Sequence, residues 1–107
     1  MLNKLSIIAG KSSEDIARKL SKKMKANFVK SQVRVFEDGE SKITLSGKIS
    51  KGKSIVVQSI YPPVDTNLIQ ALSLISKAKE ISSEVIAVIP YMGYARQDRE
   101  FLPGEII

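Results

Sequence analysis

Two short stretches hold most of the residues able to do chemistry. In Phe36-Glu-Asp-Gly-Glu40, Asp38 and Glu40 flank a glycine and an aromatic stands just ahead of them. Gly39 suits a tight turn. Two readings fit: a hairpin turn with solvated acids, or a base pocket. In the pocket, Phe36 stacks on a purine face, a contact worth on the order of 1–3 kcal/mol, and Asp38 or Glu40 accepts hydrogen bonds from an exocyclic amine. The alternating oxygen ligands of a calcium loop are absent. The second stretch is Pro90-Tyr-Met-Gly-Tyr-Ala-Arg-Gln-Asp-Arg-Glu100. Arg96 offers a planar fork suited to phosphate or to stacking, and Gln97 can pair with an amide-like base edge. The bland alternative is a surface loop whose Asp98 and Arg99 only meet solvent.

Two further motifs promise phosphate binding and fail on context. Gly47-Lys-Ile-Ser-Lys-Gly52-Lys53-Ser54 matches G-x-x-x-x-G-K-[ST] letter for letter. A phosphate cage needs that loop to open a helix, yet Ile55-Val-Val-Gln-Ser-Ile60 follows, β-branched and without helical period. A lysine-rich connection between strands fits better. Gly10-Lys-Ser12 lies correctly between strand and helix, but Leu5 stands where the first glycine is required. It reads as a plain turn with a serine cap, with a weak anion site as the alternative.

The elements that must position these residues follow from periodicity. Leu5–Ala9 is a short apolar run closed by Gly10 and predicts a buried strand. Ser12 or Ser13 is expected to cap a helix with Glu14 and Asp15 in its first turn. Ile16, Leu20 and Met24, with Ala17 beside them, are its expected buried stripe. Phe28–Phe36, a turn at 37–40 and Lys42–Leu45 predict a hairpin-like excursion near residues 28–46. Ile55–Ile60 predicts a strand covered on both faces. Tyr61-Pro-Pro-Val-Asp-Thr-Asn67 predicts a rigid turn and helix cap. A helix burying Leu68, Ile69, Leu72, Ile75 and Ala78 comes next, then a strand over Val85–Ile89. The order predicts an α/β fold, three layers with a largely parallel sheet and flanking helices. Loops 10–13, 61–67 and 91–98 then share the carboxyl edge, where such sheets bind ligands.

Composition narrows the chemistry. The 107 residues fit one small domain, and with no Cys or His there is no disulfide, zinc site, thiol nucleophile or histidine base. A metal must be held by carboxylates or arrive on a substrate phosphate. The net charge of +6 sits in the first half, where residues 1–54 carry 13 Lys+Arg against 5 Asp+Glu. No aromatic is interleaved with the lysines of 19–25, which argues against nucleic acid. No apolar run suggests a membrane span and the start has no signal-peptide core, so a cytoplasmic protein is expected. The sequence ends on Ile106 and Ile107 just after a loop, which predicts a chain cut short within its domain.

Phe36-Glu-Asp-Gly-Glu40, Val57-Gln-Ser59, Asp65-Thr-Asn-Leu68 and Val88-Ile-Pro-Tyr with Tyr94-Ala-Arg-Gln-Asp98 closely resemble ribose-phosphate pyrophosphokinase. The Tyr-Pro-Pro turn and Leu102-Pro-Gly-Glu105 look most like archaeal-type members. The resemblance implies a phosphoribosyltransferase-like fold and places residues 1–107 as most of an N-terminal domain, with the catalytic half absent. It implies transfer of the β,γ-pyrophosphoryl group of ATP to the C1 hydroxyl of ribose 5-phosphate, with Mg²⁺, for nucleotide biosynthesis. It implies a homo-oligomer in which Phe36, Asp38, Gly39 and Glu40 hold the adenine of a neighbouring subunit's ATP, while Arg96 and Gln97 contact ATP as well. It assigns no catalytic or metal residue to this stretch, so the chain alone is expected to be inactive. The alternative is a non-catalytic short form that binds and modulates synthetase subunits.

Overall fold

The computed structural model describes residues 4–107. Its elements are strand β1 (Leu5–Ala9), a one-turn 3₁₀ segment (Lys11–Ser13), helix α1 (Glu14–Met24), β2 (Asn27–Val35), β3 (Ser41–Ser46), β4 (Lys53–Val57), α2 (Val64–Ile81) and β5 (Glu84–Val88). The strands form one sheet in the order β3-β2-β1-β4-β5. β1 pairs parallel with β2 and β4, β4 pairs parallel with β5, and only β2 and β3 run antiparallel. The expected α/β sheet with a hairpin excursion is therefore present.

The helices lie on opposite faces. Ala17 of α1 packs with Ile7, Ala9, Ile55 and Val57, whereas Leu74 and Ala78 of α2 pack with Ile8, Val29 and Val56. Successive strand residues point to opposite faces, which splits Ile7 from Ile8 and Ile55 from Val56. From the central pair the chain winds one way through α1 to β2 and the other way through α2 to β5. The crevice between the carboxyl ends of β1 and β4 is thus the point where the strand order reverses.

Both helices bury smaller residues than the pattern predicts. In α1 the buried positions are Ala17 and Ser21, while Ile16 is 50% exposed and Met24 is exposed too. Short side chains let the helix lie close to the sheet, and Ser21 satisfies its hydroxyl on the Arg18 carbonyl of its own helix. In α2 the buried face is Asn67, Gln70, Ala71, Leu74 and Ala78, with Ile69 and Leu72 facing out. A helix covers a sheet with one stripe, and α2 carries more apolar side chains than that stripe holds. The predicted serine cap is also absent: neither serine caps α1 with its side chain. The strand expected through Ile60 leaves the ladder after Val57, although Gln58 and Ile60 stay buried.

Gly47 to Lys53 links β3 to β4, and Lys53 and Ser54 already lie in the ladder opposite Leu5 and Ser6. The letter-perfect phosphate-loop motif is a connection between strands, as its context predicts.

At the amino edge of the sheet four serines form a continuous chain. Ser6 and Ser54, Cα partners in the parallel register, have hydroxyl oxygens 2.6 Å apart, and Ser54 and Ser82 are also 2.6 Å apart. The Ser82 hydroxyl donates to the Ser50 carbonyl, and the Ser50 N–H donates to Ser6 Oγ at 3.1 Å. With Ser82 committed as a donor, the direction is set: Ser6 donates to Ser54, and Ser54 to Ser82. All four are buried. The chain fastens β1, β4, the loop before β4 and the end of α2.

Among the described residues no helix is long and apolar enough to cross a membrane.

Candidate functional site

The turn at 36–40 is built by its own backbone. The Gly39 N–H donates to the Phe36 carbonyl at 2.9 Å, and the Phe36 N–H donates to the Glu40 carbonyl at 2.8 Å. Gly39 sits at φ +93°, so the loop is a type I turn closed by a left-handed residue. No atom lies within 4 Å of where a Cβ would stand, which makes the backbone angle the sole demand for glycine. Asp38 Oδ1 accepts the Glu40 N–H at 3.0 Å, so half of this carboxylate shapes the turn and Oδ2 stays available. Glu40 is exposed. The Arg34 guanidinium stands 5.4 Å from the Phe36 ring centroid, a cation–π contact on a ring that is 41% exposed.

This turn caps a ribbon that outruns the sheet. The last pairing of β2 with β1 is at Lys30, while β2 and β3 stay paired to Val35 and Ser41. The ribbon from Ser31 onward reaches roughly 16 Å past that point at ~3.3 Å per residue. The radius of gyration is accordingly 15.3 Å, against about 13 Å for a compact domain of this length.

The loop after β5 starts three strands further across the sheet. The Gln58 N–H donates to the Val88 carbonyl and the Ile60 N–H to the Tyr91 carbonyl, which lays the loop against the end of β4. Tyr61 and Tyr91 meet edge to face at 5.6 Å. Arg96 is exposed and has no hydrogen bond, ion pair or ring contact among the described residues. Gln97 is half-buried and oriented: its Nε2 donates to the Arg99 carbonyl at 2.8 Å and to Glu105 Oε1 at 3.0 Å. Both amide protons are used, so Gln97 presents its carbonyl oxygen, an acceptor for a ligand N–H.

Glu105 holds the loop. Its Oε1 also accepts the Leu102 N–H at 2.8 Å and the Phe101 N–H at 2.9 Å. The Leu102 amide chiefly keeps this carboxyl below the ordinary carboxylate range; desolvation opposes it, and Phe101 and Gln97 add to the lowering. A lowered value means the folded loop prefers the ionised form. Its stabilisation is complete above the ordinary carboxylate value and is lost as pH falls through the lowered one. In an NMR titration the Phe101 and Leu102 amides are expected to shift together, with a midpoint below that of an exposed glutamate. Glu105→Gln should remove that step.

The structure places the two groups of candidate residues apart. Phe36, Asp38, Gly39 and Glu40 stand at the ribbon tip and Arg96 and Gln97 in the loop after β5, with β1 and β4 between their strands. No hydrogen bond, ion pair or ring contact joins them among the described residues. Nor do three or more carboxylates gather there where a metal ion could sit.

A residue the motifs did not single out by chemistry, Gln58, organises the carboxyl edge. Only 1% exposed, it accepts the Ser12 N–H at 3.3 Å through Oε1, which also lies 2.7 Å from the Ser12 hydroxyl. Its Nε2 donates to the Asn67 carbonyl, and Asn67 Nδ2 donates to the Tyr61 carbonyl at 2.6 Å. Ser13 Oγ accepts the Ser59 N–H. These bonds explain why the serines do not cap α1, and they spend the amide of Ser12 that an anion would need. The signal in the sequence was a lone amide inside the apolar run Ile55–Ile60.

Residues 5–107 match the family described as the N-terminal domain of ribose phosphate pyrophosphokinase. The chain belongs to this family. It is 35% identical over 102 residues to a ribose-phosphate pyrophosphokinase of Sulfurisphaera tokodaii, covering 94% of this chain and 35% of that protein. With the Fusobacterium nucleatum enzyme it shares 36% over 106 residues, 98% of this chain and 34% of the relative. The crystal structure of phosphoribosylpyrophosphate synthetase from Mycobacterium smegmatis superposes with a TM-score of 0.82 at 26% identity, over 95% of this chain and 35% of that one. The chain thus spans about a third of the length of the curated pyrophosphokinases it matches.

Proposed function

We propose that this chain is the ATP-holding, subunit-contacting N-terminal part of a ribose-phosphate pyrophosphokinase. The complete subunit would transfer the β,γ-pyrophosphoryl group of ATP to the C1 hydroxyl of ribose 5-phosphate, a step that supplies nucleotide biosynthesis. The observation that carries the reading is the ribbon: its tip offers an aromatic ring and carboxylate acceptors beyond the reach of its own sheet. A neighbouring copy in a homo-oligomer is the surface against which such a tip becomes useful.

In the assembled site Phe36 stacks on adenine, and Asp38 Oδ2 or Glu40 accepts from the exocyclic amine. Arg96, without a partner among the described residues, takes a phosphate, and the Gln97 carbonyl accepts a ligand N–H. Pyrophosphoryl transfer relies mainly on positioning and charge neutralisation, which suits residues of these kinds. Mg²⁺ would neutralise triphosphate charge, but the described carboxylates form no cluster that fits it. Its ligands and the ribose 5-phosphate site are assigned outside residues 1–107, and the isolated chain is inactive on this reading.

Arg96→Ala in the complete subunit is expected to lower kcat/KM for ATP by about ten- to a hundredfold, the value of a lost charge-assisted hydrogen bond. The melting temperature should hardly move. Unfolding, or unchanged ATP kinetics, would return Arg96 to the role of a solvated surface residue.

A further inference from the structure

A cavity lined by none of the six candidate ATP residues opens at the carboxyl edge. About 580 Å³ in volume, it fills the crevice where the strand order reverses, between the loops that follow β1 and β4. Ligand pockets commonly have this size and occur at such switch points. Part of its lining is apolar, from Ile16, Val33, Val35 and Tyr61; part is polar, from Lys11, Ser59, Thr66 and Gln70.

Gln70 gives the cavity its chemistry. The residue is only 4% exposed, and its side chain has no hydrogen bond among the described residues. No wholly buried side-chain nitrogen or oxygen lacks a partner. The Gln70 amide therefore reaches open space, and the space it lines is this crevice. A buried amide left unmatched is costly, and a donor and acceptor side by side fit a group that presents the complement. The hydroxyls of Ser59 and Thr66 are likewise unpartnered among the described residues and line the same space. The exposed apolar lining, Ile16 included, suits the faces of a flat ring, and Lys11 supplies a cation for an anionic substituent.

We infer that this crevice binds a nucleoside monophosphate whose base has a lactam edge, as in uracil. The Gln70 carbonyl accepts the ring N–H, its NH₂ donates to the adjacent ring carbonyl, and Lys11 meets the phosphate. The inference rests on Gln70 and the cavity, independently of the ATP reading above.

The test is an NMR titration of the ¹⁵N-labelled protein with uridine 5′-monophosphate, beside its N3-methylated analogue, which lacks the ring N–H, and ribose 5-phosphate. The Gln70 side-chain NH₂ signals are expected to shift saturably, and uridine monophosphate should bind about tenfold more tightly than either comparison compound, because only it completes the amide pair. Gln70→Leu should remove that advantage with the remaining spectrum unchanged. Gln70→Glu, which keeps the shape but loses the donor, should do the same and serves if the leucine variant fails to fold. Lys11→Ala should weaken uridine monophosphate but not uridine. Equal binding of all three compounds, or full binding by either Gln70 variant, overturns the inference. So does movement of the Gln70 signals on concentrating the protein alone, which would make the crevice a contact between copies. Absence of shifts would mean it holds water only.

Discussion

Mixing two weakened variants of the complete enzyme, Phe36→Ala and Arg96→Ala, is expected to give more activity at low ATP than either has by itself. The reason is the position of the two groups. On the proposed function, one site takes its turn from the ribbon of one subunit and its loop from the subunit beside it. Phe36→Ala removes a stacking contact, a loss of roughly tenfold or more in ATP affinity, and Arg96→Ala removes a phosphate contact of similar or larger value. In a randomly mixed oligomer about a quarter of the sites combine an intact turn with an intact loop, since each is intact half the time. The mixture should therefore reach about a quarter of wild-type activity after subunit exchange. Sites formed within one chain would give no recovery, because every such site would carry one lesion. Steady-state rates before and after exchange decide the matter.

Gly10→Ala is expected to be the most damaging small substitution at the carboxyl edge. A Cβ at residue 10 would stand 1.9 Å from Gln58 Oε1 and 2.9 Å from Gln58 Cβ. The second distance matters more, since turning the far end of the side chain leaves that clash in place. Gln58 would have to move, and with it the bonds to Ser12 and Asn67 that join the loops after β1 and β4 to α2. Overpacking together with orphaned buried polar groups should cost about 3 kcal/mol, or roughly 10–20 °C in melting temperature. A companion Gln58→Ala clears Oε1 and Cδ but keeps the Cβ at 2.9 Å, so it should recover only part of the packing loss and none of the hydrogen bonds. If Gly10→Ala melts like wild type, the packing around Gln58 described here is wrong. Calorimetry on the wild type, Gly10→Ala and the double variant is sufficient.

The succession of strands and helices along the chain, the hairpin and the refusal of the phosphate-loop motif were legible because each rests on local signals: β-branched runs, turn residues, and the absence of a helical period after Ser54. The helix faces were not. Hydrophobicity favours Ile16 over Ala17 and Leu72 over Ala71, whereas close approach to a sheet favours the smaller residue, and no single sequence reveals how near a helix will lie. The serines at 12 and 13 misled for a related reason. Their capping preference is real, but Gln58 is 46 residues distant and competes for Ser12 with bonds that local statistics do not see. The candidate ATP residues were legible as types and spacing, and the resemblance supplied their roles. Their separation across β1 and β4 needed the topology. The acceptor orientation of Gln97 needed Glu105, eight residues on and outside the motif.

The serine chain at the amino edge has a mechanical corollary. Its first donor and its last acceptor belong to the same residue, the N–H and the carbonyl of Ser50. The hydroxyls therefore make a ring with a fixed sense of rotation, closed through one peptide unit on either side of a single Cα. No hydroxyl can reverse without its neighbours reversing too, and the peptide ends cannot reverse at all. Such a ring behaves as a clamp with no slack. The domain is vice-like at this rim, and freedom is left to the ribbon beyond Lys30 and to its turn, which no further strand backs. Those are the parts that must adjust when another molecule arrives.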